Sequence, residues 1–153
     1  YICGNQCVSL NGEDITDEIR TPEVTKMAST VSAYPAVREF LFDLQQKLAK
    51  EHNVIMDGRD IGTVVLPDAD LKIFLTASPE ERASRRYLEW KDKPDCPTYE
   101  KILADIIERD YQDTHRAAAP LRQAEDAVLL DTSELNFEQS LDAMKQIIAR
   151  KVG

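Results

Sequence analysis

Three stripes of apolar residues at helical spacing run through the chain. Pro35 opens a stretch in which Val37, Phe40, Leu41, Leu44 and Leu48 recur at helical spacing. Ile102, Leu103, Ile106 and Ile107 form a second stripe in a long helix from about Thr98. Phe137, Leu141, Met144, Ile147 and Ile148 form a third. The polar residues ahead of such stripes mark helix starts. Thr21-Pro22-Glu23 sets a capping hydroxyl before a first-turn proline. Ser78-Pro79-Glu80-Glu81 is a capping box, with Ser78 accepting from the Glu81 amide while Glu81 reaches back. Asn136 with Gln139 starts the last helix.

Short apolar runs bounded by polar residues read as strands: Cys7 to Leu10, Val54 to Met56, Leu71 to Leu75 and Ala127 to Leu130. Asn11-Gly12 after the first is a tight-turn signal. From residue 35 onward the predicted order is helix, strand, helix, strand, helix, strand, helix, taking one helix around or after Asp60. Alternation of this kind predicts an α/β fold, a parallel sheet covered by helices. Residues 1–34 depart from it and read as a small α+β appendage with a hairpin; residues 35–153 read as the core domain.

The chain has 153 residues, a length that suits one domain. Its net charge of -9 argues against a nucleic-acid polymer as partner, because such a surface is usually basic. No apolar run approaches the roughly 20 residues of a membrane span. Three cysteines, an odd count, fit free thiols in a reducing, cytoplasmic setting. Cys3-x-x-x-Cys7 has no second close cysteine pair and only two histidines to join it, so a structural metal centre is not expected.

Three charged groups strain a packing explanation. In "DGRD", Asp57 to Asp60, a strand is predicted to end in charge, and ligands collect at the carboxyl ends of parallel strands. Gly58 lets the backbone bend or come close to a ligand. Arg59 offers a planar fork for phosphate, Asp60 an acceptor for an amine or hydroxyl, and Asp57 a ligand for magnesium through water. In "ERDYQDTHR", Arg109, Asp113 and Arg116 are spaced to share one helix face. That face is either a solvated ion-pair ladder or two phosphate clamps held apart by an acid. In "ERASRRYLEW", Arg82, Arg85 and Arg86 crowd one helix, either paired with nearby acids or awaiting an anion. Ser29, Tyr34 and Arg38 form a weaker group near a helix junction. Neither histidine sits beside a nucleophile, so no hydrolytic triad is expected.

Taken together these stretches resemble the bacterial cytidylate kinases, within the nucleoside monophosphate kinases. The resemblance runs through "LNGEDITDEIRTPEV", "ASTVSAYPAVR", "DGRDIGTVVLPDADLKIFLTASPEERASRR" and "ERDYQDTHRAAAPL", in order along the whole chain. It implies transfer of the ATP γ-phosphoryl group to CMP or dCMP, on a P-loop NTPase-like parallel sheet flanked by helices. Residues 1–34 resemble part of that family's nucleotide-acceptor insert, and a short lid is implied around residues 82–98. Ser29, Arg38 and Asp60 resemble the side chains that read the cytosine edge. Arg59, Arg109 and Arg116 resemble the phosphate clamps, and Asp113 the acid that binds sugar hydroxyls. Asp57 resembles the acid behind the magnesium shell. Arg82, Arg85 and Arg86 resemble lid residues that close over ATP, with Arg86 also counted among the catalytic arginines. ATP as co-substrate and Mg2+ follow from the same resemblance.

One part of the family pattern does not occur. No glycine of the chain belongs to a G-x-x-x-x-G-K-[ST] sequence, the loop whose amides cradle donor phosphates. The expectation is therefore a carboxyl-terminal two-thirds of such a kinase, without the first, central strand of its sheet and without useful turnover by itself. A nucleotide-binding remnant without catalysis and a kinase preferring UMP or AMP are the alternatives.

Overall fold

A computed structural model describes residues 6–32, 34–92 and 96–152. The side chains of Arg20, Pro22, Ser29 and Val152 lie outside the description, as do Cys3 and residues 93–95 of the expected lid. The chain divides into two compact units, residues 1–54 and 55–153.

The first unit opens with a hairpin. Strands β1 (Ser9–Leu10) and β2 (Glu13–Asp14) pair antiparallel, Ser9 with Asp14 and Leu10 with Glu13. Asn11 and Gly12 join them with φ of 52° and 89°, the doubly left-handed form that Asn-Gly favours. The expected strand from Cys7 is two residues long: the Val8 carbonyl still accepts from the Ile15 amide at 2.9 Å, but the Val8 amide donates to Thr16 Oγ1. A single turn, Glu18–Arg20, leads to helix α1 (Pro22–Val31), where Thr21 Oγ1 accepts from the Val24 amide. Helix α2 (Pro35–Glu51) follows. Its stripe of Phe40, Leu41, Leu44 and Leu48 stands exposed.

The second unit holds a parallel pair, β3 (Ile73–Thr76) and β4 (Val128–Asp131), in register Ile73 with Val128 through Thr76 with Asp131. Helices α3 (Pro79–Trp90) and α4 (Tyr99–His115) form the connection between them, and α5 (Phe137–Val152) closes the chain. This is an α/β arrangement with a small parallel sheet, compatible with a P-loop NTPase-like fold. The core lies between α3 and α4. Ala83 is fully buried, and its small side chain admits Ile102 and Ile106 from α4, with Trp90, Tyr99 and Leu103 around them. An Ile106→Ala cavity there costs about 2 to 5 kcal/mol by analogy with core truncations.

The helix starts follow the polar signals with one exception. Asn136 and Gln139 exchange side-chain and amide bonds at 2.9 and 3.0 Å, a complete box ahead of α5. Ser78 makes only half of one: its hydroxyl accepts from the Glu81 amide at 3.1 Å, but its own amide donates to Ser133 Oγ at 2.8 Å. Glu81 is drawn instead to Arg85, one turn along α3. The tertiary partner and the ion pair displace the local box.

One expected element fails to form and another is short. Val54 to Met56 joins no strand ladder, and Ile55 is 98% exposed. An apolar run becomes a strand only where a neighbour takes its backbone hydrogen bonds, and among the described residues none does. The helix expected near Asp60 is a single π-helical turn, Ile61–Val65. In α5 the inward stripe is only partly covered: Met144 and Ile147 are half-buried, whereas Phe137 is 82% exposed.

Candidate active site

The site is built in the second unit, where the 57–60 loop meets the carboxyl end of α4. The π turn fixes the loop. The Asp60 carbonyl accepts from the amides of Val64 at 2.9 Å, Val65 at 3.2 Å and Thr63 at 3.3 Å, and Ile61 accepts from Leu66 at 2.7 Å. Turns of this type concentrate at functional sites. The Asp60 side chain makes no cap to the turn. The close approach that Gly58 permits is to a side chain: a Cβ there would lie 2.8 Å from Ile61 Cγ1. Gly62 has a parallel function, since a Cβ would meet Lys72 Cδ at 3.3 Å. Lys72 in turn reaches Asp126 at 2.8 Å and the Pro67 carbonyl.

Arg59 donates from Nε to Oδ2 of Asp113, a buried acid on α4. Arg109, one turn earlier on the same helix, brings its Nε to 3.9 Å from that same oxygen, too far for a hydrogen bond. Among the described residues, Arg109 Nε is buried with no hydrogen-bond partner. Burial, then the neighbouring positive charge of Arg59, lowers the Arg109 pKa; Asp113 opposes this and Arg86 adds to it. The cation is held where its charge is least comfortable.

Arg116 reaches the same region by another route. The expected shared face of Arg109, Asp113 and Arg116 is kept by the first two only, because α4 ends at His115 and Arg116 is its extended cap, with ψ of 142°. The chain then folds back: the Leu121 amide donates to the Asp113 carbonyl at 2.8 Å, and Ala119 takes a left-handed φ of 49°. The Ala119 carbonyl accepts from Arg116 Nε at 2.7 Å. Arg116 Nη2 is left 3.9 Å from Asp60 Oδ2, buried and without a hydrogen-bond partner among the described residues.

Two guanidinium groups thus meet at Asp113, a third stands beside Asp60, and two buried N–H groups lack acceptors among the described residues. A buried unsatisfied donor costs about 1 to 3 kcal/mol, more when charged. An entering anion with several oxygens relieves that cost, and phosphate matches the guanidinium fork. The arrangement suits an anion clamp. The solvated-ladder alternative fails for Asp113, which is buried.

The second arginine group resolves differently. Arg82 grips Asp110 with both arms, at 3.0 and 2.5 Å, and donates from Nε to the Ala77 carbonyl at 3.1 Å. Its hydrogen bond to Asp110 is the largest influence raising its pKa. Arg85 bonds Glu81 at 2.8 Å, the Thr132 carbonyl at 2.6 Å and the Leu135 carbonyl at 3.0 Å. Arg86 lies over the Trp90 ring, 5.4 Å from its centroid. Asp110, Trp90 and Thr132 were not singled out by the sequence. For Trp90 a signal existed, an aromatic ring four residues beyond an arginine on one helix.

Asp57 is exposed, and among the described residues no three His, Cys, Asp or Glu side chains group to hold a metal ion. One hard carboxylate still fits magnesium, which keeps much of its water and is shared with substrate phosphates. Ser29 and Arg38 belong to the other compact unit; Arg38 is half-buried on α2.

Comparison with known proteins agrees with this chemistry. The model of the family described as Cytidylate kinase matches residues 2–150. A cytidylate kinase of Caldicellulosiruptor saccharolyticus is 51% identical over 152 residues, covering 99% of this chain and 67% of that protein. The cytidylate kinase of Carboxydothermus hydrogenoformans is 49% identical, over 95% of this chain and 66% of its own length. That of Geobacter sulfurreducens is 48% identical, over 99% and 66% respectively. The chain spans about two thirds of the length of the curated relatives it matches. With a matched family model over nearly all of its residues, the chain belongs to the cytidylate kinase family.

Proposed function

We propose that this protein serves transfer of the ATP γ-phosphoryl group to CMP or dCMP, giving the nucleoside diphosphate, with the described residues forming the acceptor side. The observation that carries this reading is the pair of buried, unsatisfied donors, Arg109 Nε and Arg116 Nη2, beside Arg59. Phosphoryl transfer asks a protein mainly for alignment and charge stabilisation. Two anionic nucleotides repel at contact distance, and preorganised guanidinium groups offset that repulsion most strongly where water is excluded. Arg59, Arg109 and Arg116 hold the acceptor phosphate and the group in flight. Asp113, fixed by Arg59, keeps two of these cations apart and accepts from sugar hydroxyls. Asp60 reads the cytosine edge; Ser29 and Arg38, of the other unit, resemble side chains with the same role. Asp57 would hold a magnesium ion through water, and the ion would supply neutralisation of charge on the phosphates.

Residues 1–34 form part of the acceptor insert and 35–153 the core, with a lid around 82–98. Of the lid arginines, Arg82 and Arg85 would have to leave their carboxylate and carbonyl partners to touch ATP, whereas Arg86 would leave only an aromatic face. The 153 residues contain no G-x-x-x-x-G-K-[ST] loop, which favours a second reading for this chain alone: CMP binding without turnover.

Calorimetric titration with CMP, dCMP, UMP and AMP tests the substrate class, and a coupled ADP-release assay tests turnover. Tightest binding of the cytidine nucleotides is expected, with no useful ADP release from the 153 residues. Equal affinity for all four would overturn the base assignment. Asp60→Ala should reduce the preference for cytosine more than the affinity for phosphate.

A further inference from the structure

The three arginines of α3 differ in what already holds them. Arg82 and Arg85 spend their donors on Asp110, Ala77, Glu81, Thr132 and Leu135, so they bind α3 to α4 and to the loop after β4. Arg86 has no carboxylate or carbonyl partner among the described residues; its contact is the indole face of Trp90. A ring face attracts the cation without consuming its N–H donors, so the donors remain for an anion. Trp90 is itself seated, half-buried, against the Ala83, Ile102 and Ile106 core. Arg86 also lies close enough to the Arg59 and Arg109 cluster for its charge to act on Arg109.

We propose that Trp90 is a positioning residue, a core-anchored ring that holds Arg86 at the edge of the Arg59 and Arg109 cluster with its donors uncommitted, ready for the second phosphoryl group of an incoming polyphosphate. This rests on the phosphate-clamp reading above. It makes Arg86 the arginine of α3 that works on ligand, and Arg82 and Arg85 the ones that work on structure.

The test is a double-mutant cycle on the full 153-residue chain, read by calorimetric titration with inorganic pyrophosphate at low salt and, separately, with CMP. Arg86→Gln and Trp90→Leu should each weaken pyrophosphate binding by about fivefold, the scale of one exposed cation–π contact. Trp90→Leu added to Arg86→Gln should cost nothing more. Trp90→Phe, which keeps a ring face, should stay within about twofold of the unaltered chain. Circular dichroism on each variant establishes that the helices persist. Equal losses from Trp90→Leu in both backgrounds would show that the ring acts through general packing and would overturn the proposal. So would unchanged pyrophosphate affinity in Trp90→Leu while Arg109→Gln loses it. If neither pyrophosphate nor CMP binds the unaltered chain, the clamp reading fails instead, and this inference with it.

Discussion

The two arginine groups of residues 55–153 share a charge and differ in what they have been given. On α3, Arg82 and Arg85 have acceptors for their donors, and the result is a fastened helix pair. At the end of α4, Arg109 and Arg116 are more confined, yet each keeps a buried nitrogen without an acceptor. Evenly distributed acids would have satisfied both groups. The contrast teaches that arginine count alone says little; the reading lies in which donors the fold leaves open.

The sharpest way to break the contrast is Asp113→Ala. It removes the acid between Arg59 and Arg109 and leaves two cations facing each other in a half-buried site. Breaking a buried pair costs about 3 to 5 kcal/mol, and discounting for the partial exposure of both arginines leaves about 2 kcal/mol. Urea unfolding measures it, and added phosphate should restore more stability to the variant than it gives the parent. Arg109→Gln is expected to do the reverse. It removes a poorly satisfied cation, so the unfolding midpoint should hold or rise, while CMP affinity falls about tenfold, or about 1.4 kcal/mol. A fall in midpoint with unchanged affinity would place Arg109 among the structural arginines.

Arg82→Gln sharpens the comparison from the other side. Loss of the two-armed bond to Asp110 should cost about 1 kcal/mol of stability, since both side chains are about a third exposed, and CMP affinity should be unmoved. The smallest effect concerns pH. The Ser133 hydroxyl, then the Ser133 amide, hold the Asp131 carboxyl below its ordinary value of 3.8. A lowered carboxyl pKa adds stability that is present above 3.8 and is lost as pH falls through the folded value. Asp131→Asn should therefore flatten the acid limb of the stability curve below about pH 4 and leave neutral pH nearly unchanged, checked by unfolding midpoints across that range.

Much of this was legible in sequence wherever the cause was local. Asn11-Gly12 specified its hairpin, Asn136 with Gln139 its helix start, and the spacing of Arg109 and Asp113 their shared face. The illegible parts have distant partners. Ser78 gives its amide to a serine 55 residues on, which undoes half a capping box that looked complete. Arg82 chooses an acid 28 residues away. Val54 to Met56 has the composition of a strand, but strand formation is a property of two segments, and one segment cannot announce it. Counting residues puts Arg116 on the helix; its own extended backbone, with ψ of 142°, takes it off.

The π turn at Ile61–Val65 carries a practical consequence. Its amides are gathered by the backbone oxygen of residue 60, and the side chain at that position makes no cap hydrogen bond to the turn. Mount and tooth are separate. A substitution at residue 60 therefore removes no side-chain cap from the turn, while it does remove the carboxylate that faces Arg116.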